Sequence, residues 1–285
     1  MFRRENTALN KQRQNDASIP DEKKVVSSKN GTIYNNYNHY FSTGLYKLRY
    51  PRVNYHTLSF IQSYINNSAP KYHILDYGCG NGRYLINILR HHLNTYFTAY
   101  DISKAPLRIL REKLIQTKQT SRVQVLSQFN LLTKLSDSNA PFDMALLLFG
   151  VLSHISSKSE RQRLLIYLRN NIGSGHLILS VPNQKRRFLS MQRAQNSHDI
   201  TYTHHIDDQI ISLYYHLYSE QSIKQELTDA GLNIIKITAE SVLPESWVTR
   251  VKPLGWLDHQ LCKLVPARWG YGILICCQKR RPVKP

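Results

Sequence analysis

The chain has 285 residues, with 38 Lys and Arg against 19 Asp and Glu, a formal charge of +19, and 41% hydrophobic residues. That apolar share supports a buried core and excludes a mostly disordered chain, and no run reaches the roughly 18 apolar residues of a membrane-crossing helix. The charge excess speaks of partners rather than of fold: nucleic acid, an anionic membrane surface, an acidic effector, or simply a Lys-, Asn- and Tyr-rich proteome.

Residues 1–30 are polar and punctuated by Asn, Ser and Pro20, and read as a flexible tail. Met1–Ala17 lacks the apolar core of a secretory signal. Cys79, Cys262, Cys276 and Cys277 show no C-x-x-C pairing, which argues against structural zinc and a disulfide scaffold and fits a reduced compartment; the expected location is the cytoplasm and no metal is expected. Residues 31–70 form a second segment. It crowds Tyr34, Tyr37, Tyr40, Phe41, Tyr46, Tyr50 and Tyr55 together, then runs into a helical pattern through Leu58, Phe60, Ile61, Tyr64 and Ile65.

From residue 71 to 285 strand-like and helix-like stretches alternate. Tyr72–Tyr77, Thr95–Tyr100, Val123–Phe129, Met144–Phe149 and His176–Val181 read as strands, with helices at Arg83–His92, Pro106–Lys118 and Arg161–Asn170. Such alternation predicts βαβ units and a parallel sheet. After Pro182 an irregular basic insertion runs over residues 184–213. Glu220–Ala230 is a helix, Leu232–Thr238 a strand, residues 242–269 a Trp-containing insertion, and Gly272–Gln278 a last strand.

The chemistry concentrates in Ile74-Leu75-Asp76-Tyr77-Gly78-Cys79-Gly80-Asn81-Gly82-Arg83-Tyr84-Leu85. A strand ends in an acid, glycines let the backbone approach a ligand, and a helix start offers unpaired amides. A dinucleotide fingerprint needs Gly or Ala at its sixth position, where Arg83 stands. Asp101, closing the second strand, can take the ribose hydroxyls of any adenosine cofactor, so it does not discriminate. The glycine spacing does.

This region resembles the class I S-adenosylmethionine-dependent methyltransferases, in particular the small-molecule branch of type 11 and type 12 enzymes. Leu75 to Gly82 match its hydrophobic-Leu-Asp-x-Gly-x-Gly-x-Gly motif, Asp101 its second acid, Phe142–His154 its post-strand motif and Gly175–Asn183 its fifth-strand ending. The resemblance implies a Rossmann-like α/β fold: a seven-stranded, mainly parallel sheet whose last strand runs antiparallel, with lid insertions. It implies S-adenosyl-L-methionine as cofactor. Gly78, Gly80 and Gly82 would line its methionine part, Asp76 would accept from its ammonium, Asp101 would hold the ribose, and Leu148 and Phe149 would flank the adenine. Asp76 capping a helix and glycines serving only a turn are the bland alternatives. The family often places an Asp after its third strand; here Asn130 stands nearest, and its amide carbonyl can still accept from the adenine.

The acceptor is less legible. His154 follows the fourth strand, where this fold meets its acceptor, and a structural histidine is the competing reading. Tyr214-Tyr215-His216-Leu217-Tyr218 offers His216 as a second candidate base, or a packed aromatic lid. A faint likeness there to tRNA wobble-uridine carboxymethyl methyltransferases departs from their pattern at Leu213, where they carry Arg. Lys185, Arg186, Arg187 and Arg193 form a basic run, joined by Lys279, Arg280, Arg281 and Lys284, that can pair with phosphates. Three readings follow: methyl transfer to a small metabolite or lipid-like acceptor, methyl transfer to tRNA, or cofactor-fold binding without catalysis.

Overall fold

The computed structural model describes residues 35–136, 142–206 and 209–280. The tail over 1–30, Tyr34, Arg281 and Lys284 lie outside the described residues.

The sheet grows from its apolar strands. In β1 (Tyr72–Tyr77) the period of two sends Ile74 to one face and Leu75 to the other, and both are fully buried in separate clusters. All four residues of β4 (Met144–Leu147) are buried. Strands covered on both faces belong inside a parallel sheet sandwiched by helices. With β2 (Thr95–Tyr100), β3 (Val123–Leu126), β5 (His176–Pro182), β8 (Leu232–Ser241) and β9 (Gly272–Lys279), the order is β3-β2-β1-β4-β5-β9-β8. The last strand, β9, is antiparallel to β5 and β8, and the other pairs are parallel. This is the expected Rossmann-like arrangement. The order reverses between β1 and β4, and a ligand crevice belongs at the carboxyl ends there.

One face carries α3 (Tyr55–Gln62), α4 (Arg83–His91) and α5 (Lys104–Gln116) through Ile61, Leu85, Ile88, Leu107 and Leu110. The other carries α6 (Phe129–Ser136), α7 (Lys158–Asn171) and α9 (Glu220–Asp229) through Leu132, Leu165, Leu168, Ile223 and Leu227. A buried Arg161–Glu226 pair, 2.9 Å apart, ties α7 to α9. The four cysteines are free and buried.

Three stretches differ from the sequence reading. β3 stops at Leu126, and residues to Ser136 turn into α6, so Asn130 lies exposed in that helix's first turn rather than at a strand end. The stretch expected to be irregular after Pro182 is ordered: α8 (Leu189–Gln195) precedes a hairpin of β6 (Asp199–Ile206) and β7 (Gln209–His216), a separate two-stranded sheet. The alternation Ile200-Thr201-Tyr202-Thr203 suits a strand, but its hydroxyl-bearing residues blur the apolar contrast that marks one. The Trp-containing insertion forms α10 (Glu245–Arg250) and α11 (Lys252–Leu264), with Trp247, Trp256 and Trp269 exposed.

Ahead of α3, residues 35–42 (α1) and α2 (Leu45–Arg49) lie across the open end of the sheet. Asn38 Oδ1 accepts from the Ala105 N–H at 2.8 Å, Asn36 donates to the Ser212 carbonyl at 2.5 Å, and Arg52 Nε donates to the Thr249 carbonyl at 3.1 Å. The aromatic segment is thereby bound to α5, to the hairpin and to α10.

Candidate active site

The glycine turn is built for close approach. Gly78 and Gly82 hold φ of 78° and 70°, and a Cβ on them would stand 2.5 Å from Val151 Cγ2 and 2.4 Å from Leu110 Cδ1. Side chains have no room there, and the left-handed backbone disfavours them independently. Phe41 packs over Gly80, where an added Cβ would meet its ring at 3.3 Å. The Gly78 and Cys79 N–H groups both donate to the Tyr100 carbonyl, at 2.7 and 3.0 Å, pinning the turn to the end of β2.

Two carboxylates flank the turn. Asp101 Oδ2 accepts from Gly80 N–H at 2.9 Å and Oδ1 from Ser103 N–H at 2.8 Å. Burial raises its pKa, and those two amides pull against the rise. Asp76 is 5% exposed, and its pKa is pushed up to about 7, first by burial and then by Asp101. Among the described residues no side chain donates to the Asp76 carboxylate. Two acids side by side without a cation, in a chain of charge +19, make a site that a cationic ligand relieves.

Beyond β4, Leu148 is buried and Phe149 holds a left-handed φ of 61°. Its N–H donates to Ser180 Oγ at 2.8 Å, which holds the strained turn against β5. The Phe149 ring forms one wall of a cavity of about 430 Å³. Tyr37, Tyr40, Tyr46 and Tyr50 come from the N-terminal segment, and Phe188, Tyr202, Leu213 and Tyr215 from α8 and the hairpin; Arg49, Arg187 and Arg250 supply the cations. Among the described residues no Asp or Glu lines it.

His154 stands behind the cavity wall. Its Nδ1 lies 2.9 Å from the Tyr214 carbonyl and so carries the proton, which leaves Nε2 to accept from the Tyr37 hydroxyl at 2.5 Å. Burial depresses the His154 pKa to about 4, so the ring is neutral across the physiological range. His216 is not brought to it. Along β7 Leu213 and Tyr215 face the cavity, whereas Tyr214 and His216 point the other way and share Asp199 Oδ1, at 2.7 and 2.5 Å. Asn130 points to no cavity residue; its described contact is a backbone carbonyl accepting from Thr133.

The basic run divides. Arg186 donates to the Trp269 carbonyl at 2.8 Å and lies over the Tyr271 ring, Arg187 lines the cavity, and Lys185 and Arg193 are exposed. Sequence reasoning did not single out Tyr37, Arg187 or the buried Arg83–Glu245 pair as site residues. Tyr37 and Arg187 were visible only as members of an aromatic crowd and a charge run, and a pairing across 162 residues leaves no local signal.

The donor set suits an adenosyl sulfonium: a glycine turn with no space for side chains, Asp101 for ribose hydroxyls, and an Asp76 carboxylate with no partner for an ammonium. A protein-family model described as "Methyltransferase domain" matches residues 48–237, more than half of the chain. Among solved structures, an S-adenosylmethionine-dependent methyltransferase from Clostridium acetobutylicum is 14% identical with a TM-score of 0.58, covering 86% of this chain and 99% of that one. The CcbJ methyltransferase from Streptomyces caelestis is 13% identical with a TM-score of 0.57, covering 82% and 90%. A SAM-dependent methyltransferase from Methanosarcina mazei is 16% identical with a TM-score of 0.52, covering 78% and 98%. None of the curated proteins matches the sequence. With the glycine turn, both acids and the sheet order in place, the chain belongs to the class I S-adenosylmethionine-dependent methyltransferases.

Proposed function

We propose that this methyltransferase acts on a small planar acceptor held in the aromatic cavity. The observation that carries the reading is the cavity itself: a partly open volume of about 430 Å³ with Phe149, two residues past β4, in its wall. A space of that size fits a small molecule, and aromatic walls with few polar groups favour a flat one.

The cofactor, when bound, supplies a methyl already activated on a sulfonium. The protein's part is then mainly placement, and holding two reactants in near-attack geometry is worth roughly 7–11 kcal/mol. Gly78, Gly80 and Gly82 give the approach, Asp76 and Asp101 hold ammonium and ribose, and Leu148 and Phe149 flank the adenine side. Asn130 stays a peripheral candidate, since its helix leaves it exposed.

Tyr37 positions the acceptor. The Tyr37 oxygen, its own proton donated in a hydrogen bond to His154 Nε2, accepts from an acceptor O–H or N–H and orients it; the proton that the acceptor loses as it gains the methyl goes to solvent. Burial keeps His154 neutral and a weak base, so with its other nitrogen fixed on the Tyr214 carbonyl it holds the Tyr37 hydroxyl in place rather than taking up a full proton. His216, paired with Asp199 on the far face of the hairpin, has no part in this positioning.

Labelled methyl transfer into a metabolite and lipid extract tests the reading. The wild type labels the small-molecule fraction and Tyr215→Leu, which opens the cavity wall, loses the label while still binding cofactor. Undiminished label in Tyr215→Leu would place the acceptor elsewhere.

A further inference from the structure

We propose that the acceptor carries an acidic group (carboxylate, phosphate or sulfonate) and that Arg187 is its counter-ion. This rests on reading the aromatic cavity as the acceptor site. Among the described residues three guanidiniums line that cavity and no carboxylate does. They are not equivalent. Both Arg250 Nε and Nη2 donate to the Leu48 carbonyl, at 3.2 and 3.0 Å, and Arg49 is held by the Tyr202 hydroxyl. The Arg187 guanidinium lies over the neighbouring Phe188 ring, 5.1 Å from the centroid, and makes neither a hydrogen bond nor an ion pair to any described residue.

Its surroundings explain why an anion belongs there. The Arg187 charge is felt at Tyr50, Tyr215 and Glu240, the first two of which line the same cavity as Arg187. Glu240 is the acid it reaches, but that carboxyl is buried, pushed up to about 8 chiefly by burial and by Glu245, and therefore largely protonated near neutrality. It does not neutralise Arg187. A guanidinium facing aromatic walls with no counter-charge focuses positive potential into the cavity, and its fork of N–H groups matches a carboxylate or phosphate. Arg186, one residue earlier, is consumed by the Trp269 carbonyl and the Tyr271 ring, so the two neighbours in sequence have separate tasks.

The test uses two dyes that share one ring system. 8-Anilinonaphthalene-1-sulfonate carries a sulfonate, and N-phenyl-1-naphthylamine does not. Titrated into the full-length protein, the sulfonate dye is expected to bind about tenfold more tightly or better, as a hydrogen bond to a charged group implies. Arg187→Met removes that preference, Arg187→Lys keeps part of it, and Tyr215→Leu weakens both dyes; melting curves show that the variants are folded. Equal binding of the two dyes to the wild type, or a preference that survives in folded Arg187→Met, overturns the proposal. Bulk tRNA added as competitor separates the sources of the anion: displacement of the sulfonate dye by tRNA that is lost in Arg187→Met would assign the anion to RNA and overturn the small-molecule source. Charge-dependent binding that leaves methyl transfer from the extract untouched would sink the acceptor reading and keep the anion site.

Discussion

The Arg83 guanidinium lies 4.6 Å from the centroid of the Phe149 ring while its Nη2 donates to Glu245 Oε1 at 3.0 Å. It is also ringed by Tyr46, Tyr50 and Tyr84. The first residue after the glycine turn thus reaches across to the strained residue after β4, to the N-terminal aromatics and to α10. Its Nε and Nη1 are buried without a hydrogen-bond acceptor, and aromatic faces stand where acceptors would.

That geometry sets a stability expectation. Arg83→Met leaves Glu245 buried without its partner beside Glu240, a change that typically costs about 3–5 kcal/mol. Glu240, which loses the pull of the Arg83 charge, then resists ionisation further, so the deficit against wild type grows as pH rises through the Glu240 value of about 8. Urea unfolding at about pH 6 and pH 9 measures it. A deficit that shrinks with pH would contradict the assignment of Arg83 as the counter-charge.

Asp76 should separate binding from stability. Its pKa is about 7 when folded against an ordinary 3.8, so the folded state holds the proton more tightly. The stability of the cofactor-free protein therefore falls as pH rises from about 4 to 7 and stays low above that. Asp76→Asn removes this slope and raises the melting temperature at pH 8 by a few degrees, yet weakens S-adenosylmethionine in calorimetry by tenfold or more, as loss of a charged hydrogen-bond partner implies. Wild-type cofactor affinity should decline below pH 7, as Asp76 takes up its proton. Unchanged affinity in Asp76→Asn would remove the ammonium contact.

The Tyr37–His154 pair gives a kinetic expectation. Tyr37→Phe breaks the link to His154 and is expected to lower kcat about tenfold, the worth of one positioning hydrogen bond, with cofactor affinity unchanged. His154→Asn should do the same. Because burial already holds His154 near 4, its protonation leaves no inflection in the rate between about pH 5 and 8. An inflection near 6.5 that vanishes in His154→Asn would show an exposed, ordinary histidine instead.

Glycines of equal backbone and unequal surroundings offer a control. Gly44 has φ of 75° with nothing within 4 Å of an added Cβ, whereas Gly82, at 70°, would meet Leu110 at 2.4 Å. Gly44→Ala is expected to cost about 1 kcal/mol, the left-handed penalty alone. Gly82→Ala adds overpacking of roughly 1–3 kcal/mol and shifts the cofactor turn. Similar losses in the two would mean that the space beside Leu110 is not tight.

The catalytic half of the sheet was legible because its signals are local. β1 and β2 match their sequence-read bounds residue for residue, since a strand buried on both faces reads as an apolar run between turn residues. The hairpin escaped because Thr, Tyr and His alternate with apolar residues too weakly to mark a face. Asn130 shows the cost of a misplaced boundary: three residues fewer in β3 put it on a helix. The aromatic cavity is assembled from residues as distant as Tyr37 and Arg250, and no spacing rule connects them. What the motif reveals is the cofactor; the acceptor depends on tertiary neighbours.

Transfer of labelled methyl from S-adenosylmethionine, with a metabolite and lipid extract and bulk tRNA offered in parallel, tests the central claim most directly. The account expects label in the small-molecule fraction that disappears with Asp101→Ala and with Tyr215→Leu. Label confined to tRNA and abolished by Asp101→Ala would contradict the small acceptor, and no label in either fraction from protein that binds the cofactor would contradict catalysis on any acceptor offered.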